Sequence, residues 1–185
     1  MTGVVLVAAW PLAGCSSGGS TTSNSSSGGS SGGMFVMCDQ ACGDVATGVT
    51  LANLINNLYN QNLAGHTVGS QNLSAMCPLG GTAMITGTTG FDSTHNITTV
   101  NLTYVMNSCR MSAQNADLTY TGTVTEVGSF DSMMLQSLNE ASTSLTVTGT
   151  VDNAAVNDSS CMTHVNVDNN ASPEVSGTVC GRTFS

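Results

Sequence analysis

Six stretches of this chain alternate apolar and polar residues with a period of two, the spacing of a β-strand that lies half in and half out of a core. Residues 118–125 and 145–151 alternate without a break, and Val100, Leu102, Tyr104 and Met106 alternate with Thr99, Asn101 and Thr103. The segments 83–91, 162–167 and 175–184 follow the same rule. Such strands have one dry face and one wet face, and the wet face here is rich in threonine. Their spacing and turn residues predict an antiparallel meander of about six strands. Four of them share a theme: Thr86-Gly87-Thr88, Thr121-Gly122-Thr123, Thr148-Gly149-Thr150 and Ser176-Gly177-Thr178. Glycine inside a strand marks a bend, a bulge or a close approach of backbone. On the dry face it predicts a strongly curved sheet that lets a helix come close; a glycine-floored groove for a ligand is the functional alternative.

The helix to fill that place lies in residues 44–65. Leu51, Leu54, Ile55 and Leu58 fall at i, i+3, i+4 and i+7, and Asn53, Asn56, Asn57 and Asn60 cover the other side. Asp44 or Thr47 can cap its start and Gly65 can end it, which predicts a helix over 46–64 packed on one face of the sheet. Residues 130–138 read as a second, short helix capped by Asp131, with Met134, Leu135 and Leu138 as its apolar face. The fold class is α+β, a curved antiparallel meander with one N-terminal amphipathic helix; a small closed β-barrel is the alternative topology.

The first 33 residues are of another kind. Residues 3–14 are apolar and end in small residues, as a secretory signal does. Leu12-Ala13-Gly14-Cys15 resembles the lipobox of bacterial lipoproteins. The resemblance implies that residues 1–14 are a signal peptide, shortened at its start because no Lys or Arg precedes the apolar run. It also implies that Cys15 becomes the lipidated first residue of the mature chain, and that Ser16 favours the outer membrane. Residues 16–33 are Ser, Gly and Thr with a single Asn, a flexible tether that cannot form a core. The expected organisation is therefore a signal over 1–14, a lipidated cysteine and tether over 15–33, and one domain over 34–185. Gly14-Cys15-Ser16-Ser17-Gly18 also fits the G-x-S-x-G pattern of serine hydrolases, but without the strand–turn–helix context that pattern needs.

Export implies an oxidising place, and setting Cys15 aside leaves six cysteines: Cys38, Cys42, Cys77, Cys109, Cys161 and Cys180. Hairpin arithmetic prefers Cys77 with Cys109, centred on the turn-like Asp92-Ser93-Thr94-His95, and Cys161 with Cys180, centred on 170–171. Cys38 and Cys42 then close a small loop. Directly opposed residues must share a face, and both hairpin pairs miss that parity by one residue. A bulge in each would restore it.

Charge excludes some functions. The formal net charge is −9, from eleven acids against Arg110 and Arg182, with no lysine. A chain so short of cations cannot neutralise a phosphate backbone, so nucleic acid is excluded as a partner. An electrophilic clamp for anionic substrates is equally poorly supplied. His66, His95 and His164 fall in a loop, a turn and a strand. Cys38-x-x-x-Cys42 lacks a second ligand pair for zinc, Asn166-Val-Asp168-Asn-Asn170 lacks the glycine and the final acid of a calcium loop, and the methionines read as core, so no metal or cofactor is expected. Asp117, Glu126, Glu140, Asp152 and Glu174 show no spacing that argues for paired catalytic carboxylates.

The function expected from these residues is that of an exported lipoprotein, held on the bilayer by acylated Cys15, whose domain presents a non-enzymatic binding or structural surface to a protein or glycan. The alternative is a carrier of a lipid or other apolar ligand. It places a cavity between helix and sheet, lined by Leu54, Leu58, Met84, Leu102 and Tyr104. The third reading is a small envelope hydrolase, which needs acids or histidines to converge in one cleft.

Overall fold

The computed structural model describes residues 40–184, apart from 114, 132, 133 and 169–174. The signal, Cys15, the tether and Cys38 lie outside the described residues, as does the side chain of Cys42. One helix, α1 (Gln40–Asn62), precedes eight strands. These are β1 (Gly69–Met76), β2 (Thr82–Asp92), β3 (Ile97–Ala113), β4 (Ala116–Asp131), β5 (Met134–Val151), β6 (Ala154–Asp168), β7 (Val175–Val179) and β8 (Arg182–Phe184). They form one antiparallel sheet in sequence order, β1 to β8. The sheet is open, and the closed barrel is not found among the described residues.

The meander is as read from the alternation, but it has eight strands rather than six. β1 escaped because its inward positions are Gln71, Leu73 and Ala75, and that mixture leaves no apolar period. The segment 175–184 is two strands, β7 and β8, since Cys180 (φ 48) and Gly181 (φ 84) turn the chain between them. The short helix expected over 130–138 does not form. The described residues of that stretch are the end of β4 and the start of β5, where Phe130 and Leu138 both point inward. Asp131 pairs with Met134 in the ladder and caps no helix. A run of three apolar residues at helical spacing was too short to compete with two strands of 16 and 18 residues.

Helix α1 keeps its stripe: Leu51, Leu54, Ile55 and Leu58 are wholly buried. It begins at Gln40, so Asp44 and Thr47 lie inside it and not at its start. Gly65, with φ 77, takes the left-handed conformation that ends the helical turn, as expected. The asparagine side is less wet than the pattern implied, because Asn53, Asn56 and Asn57 are half-buried and only Asn60 is exposed. The helix packs against β1 and against every strand from β3 to β8, and none of residues 46–59 is fully exposed. A helix resting on a flat sheet leaves its far side in water; this sheet curls round its helix.

The strand glycines supply the curl. Gly87, Gly122, Gly149 and Gly177 have φ of 131°, 132°, 140° and 146°. Such bulge-like kinks bend a strand and increase its twist. The close approach they permit is to the neighbouring strand, however, and not to the helix. A Cβ on Gly149 would sit 2.1 Å from the Asp117 carbonyl oxygen of β4. Gly149→Ala therefore meets both a strained φ and a backbone clash, and should cost about 2–3 kcal/mol in urea unfolding. A loss below about 0.5 kcal/mol, the scale of an ordinary surface change, would contradict this origin of the curvature.

Among the described residues two disulfides are present, Cys77–Cys109 and Cys161–Cys180, and each parity problem has its own solution. In β3 the register against β4 slips by one between Met106 and Cys109, with Ser108 at φ 53. That bulge moves Cys109 onto the dry face, where the 77–81 turn meets it through Leu79 N–H to Arg110 C=O and Arg110 N–H to Gly80 C=O. The β6–β7 ladder needs no bulge: Val165 opposes Gly177, one residue away from the expected Ser176. Cys180 reaches Cys161 by leaving the strand in a left-handed conformation, its N–H donating to the Met162 carbonyl at 2.8 Å.

Candidate functional site

The inward face of the sheet is mostly apolar, and among the described residues its buried acids lie in one place. A row of directly opposed residues runs across six strands: Gly87, Leu102, Glu126, Glu140, Val165 and Gly177. Its centre is a pair of carboxylates facing each other on β4 and β5, and both are wholly buried. Cross-strand neighbours have Cβ atoms about 4.5–5.5 Å apart, so two ionised side chains there would repel strongly. Glutamate is almost never fully buried without a cationic partner. Here Arg110, the one arginine whose side chain is described, is spent on Asp117 at the exposed end of β3 and β4, with Nε donating at 2.8 Å.

The surroundings of the pair are aromatic. The chain has three tyrosines, Tyr59 on α1, Tyr104 on β3 and Tyr120 on β4, and all three are buried around it. The Tyr104 hydroxyl donates to Glu126 Oε2. The Tyr120 hydroxyl donates to the Thr47 carbonyl of α1 at 2.9 Å, tying helix to sheet. Tyr59 stacks on Phe130 with ring centroids 4.0 Å apart. Thr163 on β6 is the next inward position along from Val165, which opposes Glu140, and it is buried too.

Several oxygens in this region have no protein partner. They are both carboxylate oxygens of Glu140, Oε1 of Glu126 and Oγ1 of Thr163. Native proteins leave few buried polar atoms unsatisfied, because each costs about 1–3 kcal/mol. Burial raises the Glu126 carboxyl to about 7, against the opposing pull of the Tyr104 hydroxyl bond. Burial, and next the neighbouring Glu126, raises Glu140 well above the usual carboxylate range. The pair thus holds protons near neutrality. Burial and then the charge of Glu126 also push the Tyr104 hydroxyl well above 10.0. Tyr120 is driven the same way by burial and then by Glu140. Tyr59 is raised by burial and then by Glu126. Spectrophotometric titration should accordingly show no tyrosinate up to the pH at which the fold is lost, then all three tyrosines at once. A hyperchromic step near pH 10 in the folded protein would show that water reaches them.

The residues expected to line an interior site divide. Leu54, Leu58, Leu102 and Tyr104 are wholly buried between helix and sheet. Met84 is not among them, lying on the outer face of β2 and 45% exposed. Its even position in 83–91 puts it on the parity opposite Ala83 and Ile85. Met162 and His164 also share the outer face, on β6. The three histidines stay apart and exposed, with His95 Nδ1 2.7 Å from Asp92 Oδ2 in the β2–β3 turn. Asp158 stands beside Cys161 and Cys180, but those two sulfurs are joined to each other.

The spacing of Glu126 and Glu140 argues for no pairing, and the structure corrects this by opposing them across the β4–β5 ladder. The signal was present, for Glu126 continues the inward series Leu118, Tyr120, Gly122, Val124 and Glu140 follows Leu138 at a spacing of two. The supposed helix over 130–138 hid the hairpin that pairs them. Comparison with protein-family models, with curated proteins and with solved structures finds no match to this chain.

Proposed function

We propose that this chain is an exported lipoprotein, anchored in the bacterial outer membrane through acylated Cys15, and that its domain carries a small amphiphilic ligand between helix and sheet. The lipobox-like Leu12-Ala13-Gly14-Cys15, the tether and the disulfides support the address. The observation that supports the carrier role is the sealed group of unpartnered oxygens at the centre of an apolar interior. Ligand sites combine a mostly apolar lining with a few placed polar groups. Leu54, Leu58 and Leu102 supply the first, and Glu126, Glu140 and Thr163 the second. Two acids converge as a hydrolase would require, yet they do so inside the core and away from every histidine, which favours holding a ligand over turning one over. The threonine-bearing outer face, with Thr86, Thr103 and Thr125 in one row, favours a second reading as a surface module for protein or glycan.

Native mass spectrometry of the protein purified from its own envelope tests both parts. The expected spectrum shows acyl mass on Cys15 and a further non-covalent adduct of small-molecule size. A bare domain would overturn the carrier role in favour of the surface module, and an unacylated Cys15 would overturn the anchor.

A further inference from the structure

We infer that the polar end of the carried ligand is an ammonium group, received by Glu126, Glu140 and Thr163. The inference rests on the carrier reading and adds the chemical class of the cargo. Four sheet-borne oxygens lack a partner: one on Glu126, two on Glu140 and one on Thr163. Carboxylate oxygens are acceptors, and a hydroxyl can accept as readily as donate. The protons that the raised carboxyls hold are released when a cation enters, and the ionised site is then a cluster of acceptors with no other donor among the described residues to fill it. Tyr104 already occupies the other oxygen of Glu126, and the Tyr120 hydroxyl is committed to the helix backbone.

An amine supplies what is missing. A primary ammonium offers three N–H donors and a positive charge in one compact group. Charge-assisted bonds to carboxylates are about twice as strong as neutral ones, and more so away from water. An alcohol would bring one donor to four acceptors. A fatty acid would bring a third carboxylate to two. The chain has no lysine that could fold into this place, and Arg110 is held outside by Asp117. Leu102 and Val165, which flank the acids in the same row, leave an apolar wall for the hydrocarbon part.

Calorimetry on the full chain at pH 7.5 separates the cases, using hexylamine, hexan-1-ol and hexanoate as probes of equal chain length. Hexylamine should bind at least about tenfold more tightly than hexan-1-ol, and hexanoate least tightly. The double variant Glu126→Gln, Glu140→Gln should lose that preference while keeping hexan-1-ol binding. Thr163→Val, which leaves the charges in place, should weaken hexylamine several-fold, and circular dichroism checks that each variant is folded. Equal or tighter binding of hexan-1-ol or hexanoate by the unaltered chain would overturn the ammonium assignment and leave the carrier reading standing. Binding of none of the three would overturn the carrier reading itself.

Discussion

Replacing Glu126 and Glu140 with glutamine should make the domain more stable at pH 8, and should flatten its dependence on pH. Both carboxyls are raised on folding, Glu126 to about 7 and Glu140 well above the usual carboxylate range. Between the unfolded value near 4.5 and these folded values, the native state binds more protons than the unfolded chain. Stability therefore falls as pH rises through that window. For Glu126 alone the loss by pH 8 is about 3 kcal/mol, a large share of an ordinary domain's stability. Glutamine keeps the shape and still accepts from Tyr104, but it has no proton to lose. Asp92 and Asp117 work in the other direction: hydrogen bonds from His95 and from Arg110, respectively, lower them, so their contribution is lost in acid. The optimum for the unaltered protein should lie near pH 4–5. Urea midpoints of both proteins at pH 5 and pH 8 measure the effect. A wild-type protein more stable at pH 8 than at pH 5 would show that the acids are ionised in the fold and that something pairs them.

The second large effect concerns the disulfides. Cys77–Cys109 joins residues 32 apart and fixes the β1–β2 turn onto β3, and Cys161–Cys180 joins residues 19 apart. Loop closure in the unfolded chain assigns each bond on the order of 3–4 kcal/mol, with the longer loop at the upper end. Losing both would remove most of the stability of a domain of this size. Serine variants of each pair, and of both together, should melt progressively lower, and the doubly altered protein should be largely unfolded at 37 °C. Tm values unchanged by thiol reduction would mean that the curled sheet and its helix suffice alone. The bonds also offset two of the four strand glycines: Gly87 lies within the loop closed by Cys77–Cys109 and Gly177 within that closed by Cys161–Cys180, and each cross-link limits the unfolded ensemble that its glycine would otherwise enlarge.

What the sequence disclosed follows from how strongly each signal repeats. Threonine–apolar alternation over long strands made the meander legible, and the leucine stripe made α1 legible, because burial on one face imposes a period. β1 was not legible, since an edge strand with Gln71 and Leu73 inside carries little of that period. The β3 bulge showed itself only as a missed parity at Cys109, and the left-handed Cys180 as a second one. The site was the least legible part. A glutamate at an inward position reads as an error in a hydrophobic pattern, and only the pairing of Glu126 with Glu140 turns two such errors into one feature. That pairing depends on the β4–β5 hairpin, whose turn region mimics a helical turn through Met134, Leu135 and Leu138. Met84 failed for the converse reason: methionine suits a core, yet strand parity placed it outside.

Two carboxyl groups sit sealed inside an apolar shell, unpaired by any cation among the described residues and holding protons. Carbon-13 NMR of the side-chain carboxyls tests this most directly, because the chain contains three glutamates in all: Glu126, Glu140 and Glu174. With glutamate-labelled protein titrated from pH 3 upward, one resonance should move with a midpoint of about 7 and a second should titrate well above the ordinary carboxylate range. Substituting Glu126 and Glu140 in turn assigns the two. Three resonances that all titrate near the ordinary carboxylate value of 4.5 would place both acids in water and contradict the account.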